Sequence, residues 1–167
     1  MKRLSYHTQE KREFRLAEPK ICTNNTAWLG DAYYFWTEEI DSIQWGHNSK
    51  RATGSFEIYK AEIDTENVID TVYNEDHYKN WLQQIEKAAK SIVKKTGFKP
   101  TLKEINAYFK KNDVLYGVDG VMFQDLPKGN DLLVVNFFYR KRIQIAVYNA
   151  SIISNFTFHD CFKCNNR

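Results

Sequence analysis

The chain has 167 residues, of which 43% are apolar, and its 24 Lys and Arg side chains against 21 Asp and Glu give a formal charge of +3. This length and apolar content suffice for one hydrophobic core and not for two ordinary domains, so we expect a single domain over residues 1–167. The small positive charge permits an acidic partner without requiring one, and no stretch of the sequence is long and apolar enough to span a bilayer.

The first third of the chain predicts a strand, an aromatic segment and a helix. Apolar and polar residues alternate over residues 4–8, as in a short strand. An aromatic segment follows at residues 30–36. From Thr37 the pattern becomes helical, because Thr37 is a capping residue type and two glutamates follow it in the first turn. We expect this helix to end near Gly46.

The middle of the chain predicts two strands and two helices. Residues 55–64 alternate as a half-buried strand, and residues 68–72 predict another short one. A continuous apolar stripe predicts a long helix over residues 74–95. Thr101 and Glu104 have the spacing of a capping box, which predicts the start of a second helix.

The last third predicts strands. Runs of β-branched and aromatic residues, broken by Gly, Pro, Asn and Asp, occupy residues 114–117, 120–124, 132–139 and 143–149. Because helices come mainly before these strands instead of alternating with them, the order favours an α+β fold over a regular βαβ repeat.

Three separated segments form a combined pattern: Tyr6-His7-Thr8, residues 30–45 and residues 144–148. They resemble the ADP-ribosyltransferases of the poly(ADP-ribose) polymerase and diphtheria-toxin type. Tyr6-His7-Thr8 is similar to the strand of that family in which a His is followed by a small residue. The second segment is similar to the family's next motif, a Gly, an aromatic and Tyr-Phe, then a Ser and an aromatic on the following helix. These positions are Gly30, Tyr33, Tyr34, Phe35, Ser42 and Trp45. The third segment, Gln144-Ile145-Ala146-Val147-Tyr148, resembles the final strand, which a Glu heads in the common pattern.

This resemblance implies a split β-sheet core with helices packed around it, with NAD as the cofactor. Such enzymes cleave the bond between nicotinamide and ribose and transfer ADP-ribose to a macromolecular acceptor, either protein or RNA/DNA. The catalytic residues would be His7, Tyr34 and Gln144. The compact size favours a bacterial toxin or effector, for which an inhibitory partner protein is a further expectation.

The resemblance also assigns contacts to NAD. His7 would bond a ribose hydroxyl of the adenosine half, and the backbone beside Thr8 would meet the nicotinamide carboxamide. Tyr34 would lie over the nicotinamide ring, with Trp45 or Tyr33 on its other side. Ser42 would reach the carboxamide, and Gln144 would contact the nicotinamide ribose.

Gln144 departs from the common pattern. A Glu forms charge-assisted bonds to the ribose and stabilises developing positive charge, whereas an amide supplies only neutral bonds. Slow monotransfer, transfer to an unusually reactive acceptor, and an NAD-binding module without turnover therefore all stay open. Arg142 stands two residues earlier, where arginine-specific transferases have an acidic residue, so arginine is a poor acceptor candidate.

Each segment also has a purely structural interpretation. His7 and Gln144 could be buried residues with local hydrogen bonds, and residues 33–36 could be an ordinary core strand. A third hypothesis is an RNA-binding domain, in which the basic run at residues 140–142 contacts phosphates and exposed aromatics stack on bases.

The cysteines bear on metal binding and compartment. His159, Cys161 and Cys164 have a zinc-like spacing, but a structural zinc needs four ligands and Cys22 is distant in sequence, so we predict no metal. Three cysteines with no signal-peptide pattern favour a reducing, cytoplasmic compartment.

Overall fold

A computed structural model describes residues 1–25, 27–125 and 141–165. The predicted strand over residues 132–139 and Arg140 lie outside the described residues. Within them the fold is α+β, with three helices and a seven-stranded mixed open sheet. The elements are β1 (Lys2–Glu10), β2 (Tyr33–Trp36), α1 (Glu39–Ser49), β3 (Ser55–Asp64), β4 (Val68–Asp70), α2 (Glu75–Thr96), α3 (Leu102–Lys111), β5 (Gly120–Asp125), β6 (Arg142–Val147) and β7 (Ile153–Lys163).

The sheet consists of two half-sheets that meet at β1 and β2. Its strand order is β4-β5-β6-β2-β1-β3-β7, with β4 and β5 parallel and the other pairs antiparallel. β1 pairs with β3 along its whole length, but among the described residues its ladder to β2 has one pair, Tyr6 with Trp36. We call β4, β5, β6 and β2 the first half-sheet, and β1, β3 and β7 the second.

One face of the sheet, the inner face, holds a core shared by both half-sheets. Phe35 and Ile145 from the first half-sheet lie in one cluster with Ala61 and Ile63 from the second, and each is at most 1% exposed. Burying one such Ile or Phe side chain contributes about 1.5–3 kcal/mol. The two half-sheets are therefore held together mainly by side-chain packing and not by the ladder between β1 and β2.

The other face, the outer face, carries the helices. α1 packs closely on β3 at Gly46. A Cβ added to Gly46 would stand 2.2 Å from the Phe56 ring. α2 and α3 pack on the first half-sheet, where Trp81 and Leu102 contact a cluster that includes Phe123. None of the helices in the described ranges is both long and apolar enough to cross a membrane.

Local sequence signals explain α2 and α3. The Asn74 side chain accepts a hydrogen bond from the His77 N–H at the start of α2, and Gly97 ends the helix in the left-handed region at φ 76°. Thr101 and Glu104 form the predicted capping box at the start of α3. Both predicted helices are confirmed.

Three local predictions were wrong or incomplete. Thr37 does not cap α1, because Glu38 occupies the N-cap position and the Thr37 hydroxyl donates to the Ile143 carbonyl of β6 at 3.4 Å. The helix also continues to Ser49, past the predicted end. Residues 114–117 form turns instead of a strand. The strand β7 was missed, although it pairs along β3.

Candidate functional site

Five of the residues near the β1–β2 junction form a connected group on the outer face, which we call the junction site. Thr8 of β1 donates its hydroxyl hydrogen to the Ser42 carbonyl of α1 at 2.8 Å. The rings of Trp36 and Trp45 lie 5.8 Å apart. Trp36 also pairs across the sheet with Gln144 of β6. The junction site thus joins residues from all three sequence segments.

The two hydroxyl groups of the junction site are oriented by backbone carbonyls. Ser42 donates to the Glu39 carbonyl at 2.6 Å, and Thr8 donates to Ser42 as described. A hydroxyl whose hydrogen is engaged still offers its oxygen as an acceptor. Ser42 is fully buried and Thr8 is 7% exposed, so a ligand reaches these oxygens only if α1 moves away from β1.

The Gln144 carboxamide is available to a ligand. Gln144 is 7% exposed and stands between Trp36 of β2 and Phe123 of β5. The structure gives its carboxamide no hydrogen-bond partner among the described residues, and neither polar atom is one of the fully buried unpaired atoms. A hydroxyl-bearing ligand can therefore reach these atoms from solvent.

His7 does not join the junction site. Neighbouring residues of a strand point to opposite faces, so His7 points away from the side of Tyr6 and Trp36. Its ring lies on the inner face, 5.1 Å from the Phe35 ring. The structure therefore does not bring the His7 and Gln144 side chains to one face.

The His7 ring instead links the two half-sheets. Its Nδ1 lies 2.8 Å from the Tyr34 carbonyl, which can only accept, so the proton is assigned to Nδ1. Nε2 then accepts from the Gln9 amide at 2.9 Å. Burial lowers the pKa of His7 to about 4, which keeps the ring neutral near pH 7.

The two neighbouring tyrosines divide between the faces. Tyr33 packs against the inner cluster, and Tyr34 packs against the outer cluster beside α2 and α3. The Tyr34 hydroxyl donates to the Gly30 carbonyl at 2.7 Å, and burial raises the pKa of this phenol. Gly30 has a φ of 85°, a conformation that favours glycine. Tyr34, not Tyr33, is on the face of the junction site.

Arg142 and Asp125 extend the junction site beside Trp36. The sequence predicted no site role for Trp36 and Asp125 and placed Arg142 in a phosphate-binding run. Arg142 donates to the Asp125 carboxylate at 2.5 Å, and its guanidinium lies 5.1 Å from the Trp36 ring centre. A period of two along β6 would have placed Arg142 on the face of Gln144, whereas Trp36 joins this face through the register between β2 and β6. Because Arg142 is 8% exposed and ion-paired, it is not a solvated phosphate contact.

Two further features of the structure bear on ligand binding. A cavity of about 430 Å³ is lined by Thr37, Glu38, Val72, Tyr73, Gln124, Lys141 and Ile143. It contains none of the predicted NAD contacts. Among the described residues no group of three or more His, Cys, Asp or Glu side chains could hold a metal ion, and His159 pairs with Glu39 at 2.9 Å.

No protein-family model, curated protein or solved structure matches the chain.

Proposed function

We propose that the protein is an NAD-dependent ADP-ribosyltransferase whose nicotinamide pocket is the junction site. One observation carries the proposal. Thr8 comes from the first sequence segment, Ser42 and Trp45 from the second and Gln144 from the third, and all four residues lie on one face of the sheet. The single residue pair between β1 and β2 supports the finer expectation of a split sheet.

In this proposal the pocket recognises nicotinamide by its ring and its carboxamide. Binding requires α1 to move away from β1, so that the buried Thr8 and Ser42 oxygens accept from the carboxamide N–H groups. The Trp45 indole, 37% exposed, stacks on the ring. Gln144 donates to a hydroxyl of the nicotinamide ribose. His7 acts as a positioning residue, because it fixes the Tyr34 backbone beside the pocket.

The reaction breaks the bond between the ribose carbon and the nicotinamide nitrogen. Nicotinamide leaves as a neutral molecule with the bonding electron pair, and the ribose carbon becomes electron-poor. A nucleophile of the macromolecular acceptor then bonds to this carbon and loses its proton to water. Gln144 orients the ribose but adds no negative charge, so we expect slow turnover.

A second candidate is an NAD-binding module without turnover. Arg142 lies on the same strand face as Gln144, and its positive charge opposes a developing charge of the same sign on the ribose. Asp125 offsets part of that charge through its ion pair with Arg142.

Nicotinamide release and thermal unfolding with NAD test both candidates. We expect NAD to raise the Tm of the wild-type protein, and Trp45→Ala to abolish this shift. Trp28→Ala is the matched control, because Trp28 is 39% exposed against 37% for Trp45 and lies beside Phe123 instead of in the junction site. An unchanged NAD shift in Trp45→Ala would refute the pocket.

Gln144→Glu separates the transferase from the inert module. The new carboxylate should increase nicotinamide release by about tenfold or more, since a charge-assisted bond replaces a neutral one. Measurable release by the wild-type protein favours the transferase. Release that is detectable only in Gln144→Glu favours the module, and release in neither protein contradicts the proposed chemistry.

A further inference from the structure

The helical hairpin formed by α2 and α3 concentrates the positive charge of the molecule. Residues 87–111, from the second half of α2 to the end of α3, contain eight lysines and one glutamate, a local charge of +7, so the rest of the chain carries −4. The acidic residues of α2 lie before this range, at Glu75, Asp76 and Glu86. The overall charge of the protein is small, but residues 87–111 are strongly basic. We call this surface the basic hairpin.

The lysines of α2 form a row on one side of the helix. Lys87, Lys90 and Lys94 are spaced i, i+3 and i+7, which places them on a common side. The apolar stripe of α2, with the buried Ala88, faces α3 instead. Phe109 of α3 packs in the same cluster as Ala88, so the last turn of α3 with its two lysines returns to the middle of α2.

These lysines are exposed and lack anionic partners. Lys87, Lys90 and Lys94 are exposed, as are Lys95, Lys99, Lys110 and Lys111, and none of these seven has an ion pair among the described residues. The helix dipole stabilises lysines in a last helical turn, which explains the positions of Lys94 and Lys95 in α2 and of Lys110 and Lys111 in α3. It does not account for Lys87, Lys90 and Lys99.

Two exposed aromatic rings border the basic hairpin. Phe98, in the turn between α2 and α3, is 79% exposed, and Tyr116, beyond α3, is 91% exposed. They lie at opposite ends of α3, about 15 Å long, and so do not form one continuous apolar patch. Separate exposed rings beside a positive row suit the stacking of individual bases along a phosphate chain.

We propose that the basic hairpin binds single-stranded nucleic acid, with the lysine row on the phosphates and Phe98 stacked on a base. This surface is distinct from residues 140–142, of which Arg142 is buried against Asp125. The inference does not rest on the proposed NAD chemistry, because binding is measured without NAD.

The test is fluorescence anisotropy with labelled RNA and DNA single strands of about twelve nucleotides. We expect the affinity to fall at least about tenfold between about 50 and 200 mM salt, because several phosphates are neutralised. The triple variant Lys87→Glu, Lys90→Glu, Lys94→Glu should weaken binding by more than about tenfold at low salt. Far-UV circular dichroism checks that α2 stays folded.

The control triple variant is Lys11→Glu, Lys20→Glu, Lys163→Glu, which makes the same change in net charge at exposed lysines elsewhere. It should weaken binding by less than about threefold. Phe98→Ala, which leaves the charge unaltered, should cost about fivefold or more in affinity without changing the salt dependence.

Equal losses in the two triple variants would overturn the proposal, as would an absence of binding at low salt. Binding to anionic lipid vesicles or to an acidic protein, with none to either oligonucleotide, would also overturn it.

Discussion

The His7 side chain forms a hydrogen bond between β1 and β2 where, among the described residues, the backbone ladder does not continue. Beyond the Tyr6–Trp36 pair, the His7 imidazole bonds the Tyr34 carbonyl, so a side chain replaces a backbone donor between the half-sheets. Its ring also contacts Phe35 and Phe156, which ties the junction to the inner core. The residue that the sequence suggested as a ligand contact is a structural link between the half-sheets.

Acid should destabilise the protein through His7. An unfolded histidine has a pKa near 6.5 and burial lowers that of His7 to about 4, so the unfolded state binds more protons between these values. The contribution is fully present above pH 6.5 and is lost as pH falls toward 4, by up to about 3 kcal/mol. Urea unfolding at several pH values measures it.

His7→Asn is the comparison for this measurement, because an amide keeps a donor for the Tyr34 carbonyl and does not titrate in this range. We expect the variant to be less stable at neutral pH and to depend less on pH below 6.5. Parallel pH profiles of the two proteins would contradict a neutral buried His7.

At the level of elements, the contact between α1 and β3 leaves no space for a larger residue. A Cβ at Gly46 would overlap the Phe56 ring at 2.2 Å. We expect Gly46→Ala to lower the free energy of unfolding by about 1–3 kcal/mol despite the better helix propensity of Ala. Denaturant unfolding tests this.

A double-mutant cycle gives the control for Gly46. Phe56→Leu removes ring atoms at the contact, so the double variant should be more stable than the sum of the two single effects predicts. Strict additivity would mean that the overlap is relieved elsewhere.

The capping box of α3 gives a second prediction at this scale. Thr101 accepts from the Glu104 N–H at 3.2 Å, while the Glu104 carboxylate accepts from the Thr101 N–H at 2.6 Å. Thr101→Ala should cost about 1 kcal/mol in thermal or denaturant unfolding, and Thr101→Ser should cost little. Equal effects of the two variants would show that the hydroxyl is not the source of stability.

The elements that the sequence predicted well are those with local signals. α2 and α3 carry their own caps and stops, and the alternation in β3 defines that strand without help from the rest of the chain. The start of α1 was not predictable in this way. Thr37 forms a hydrogen bond to the Ile143 carbonyl, which belongs to a strand over a hundred residues away in sequence.

The candidate site was predicted in part for the same reason. The motif spacing identified Thr8, Ser42, Trp45 and Gln144, which the fold brings to one face. Alternation within a strand is visible in sequence, but the pairing register between β1 and β2 decides which faces coincide. That register places His7 on the far side and brings in Trp36 and Arg142.

At the scale of the whole molecule, the shared inner core should make the two half-sheets unfold together. Ile63 and Ile145 come from different half-sheets, are fully buried and lie in one cluster. Replacing either with Ala should cost about 2–5 kcal/mol. Transitions measured by tryptophan fluorescence and by circular dichroism should coincide in the wild type and in both variants.

Separate transitions by the two probes would mean that each half-sheet unfolds by itself. Leu4→Ala is a suitable control, because Leu4 is 50% exposed on β1 and should shift the transition only slightly.

The seam between β1 and β2 has a kinetic consequence. Among the described residues it has one backbone pair and one imidazole bond, so its hydrogen bonds can open locally while the shared inner core and the ladders on either side stay intact. Amide protons at the seam should therefore exchange with deuterium through local opening, far faster than those in the middle of β3. A small molecule that binds in the seam should slow this exchange. Hydrogen exchange can therefore detect such a ligand before any turnover is assayed.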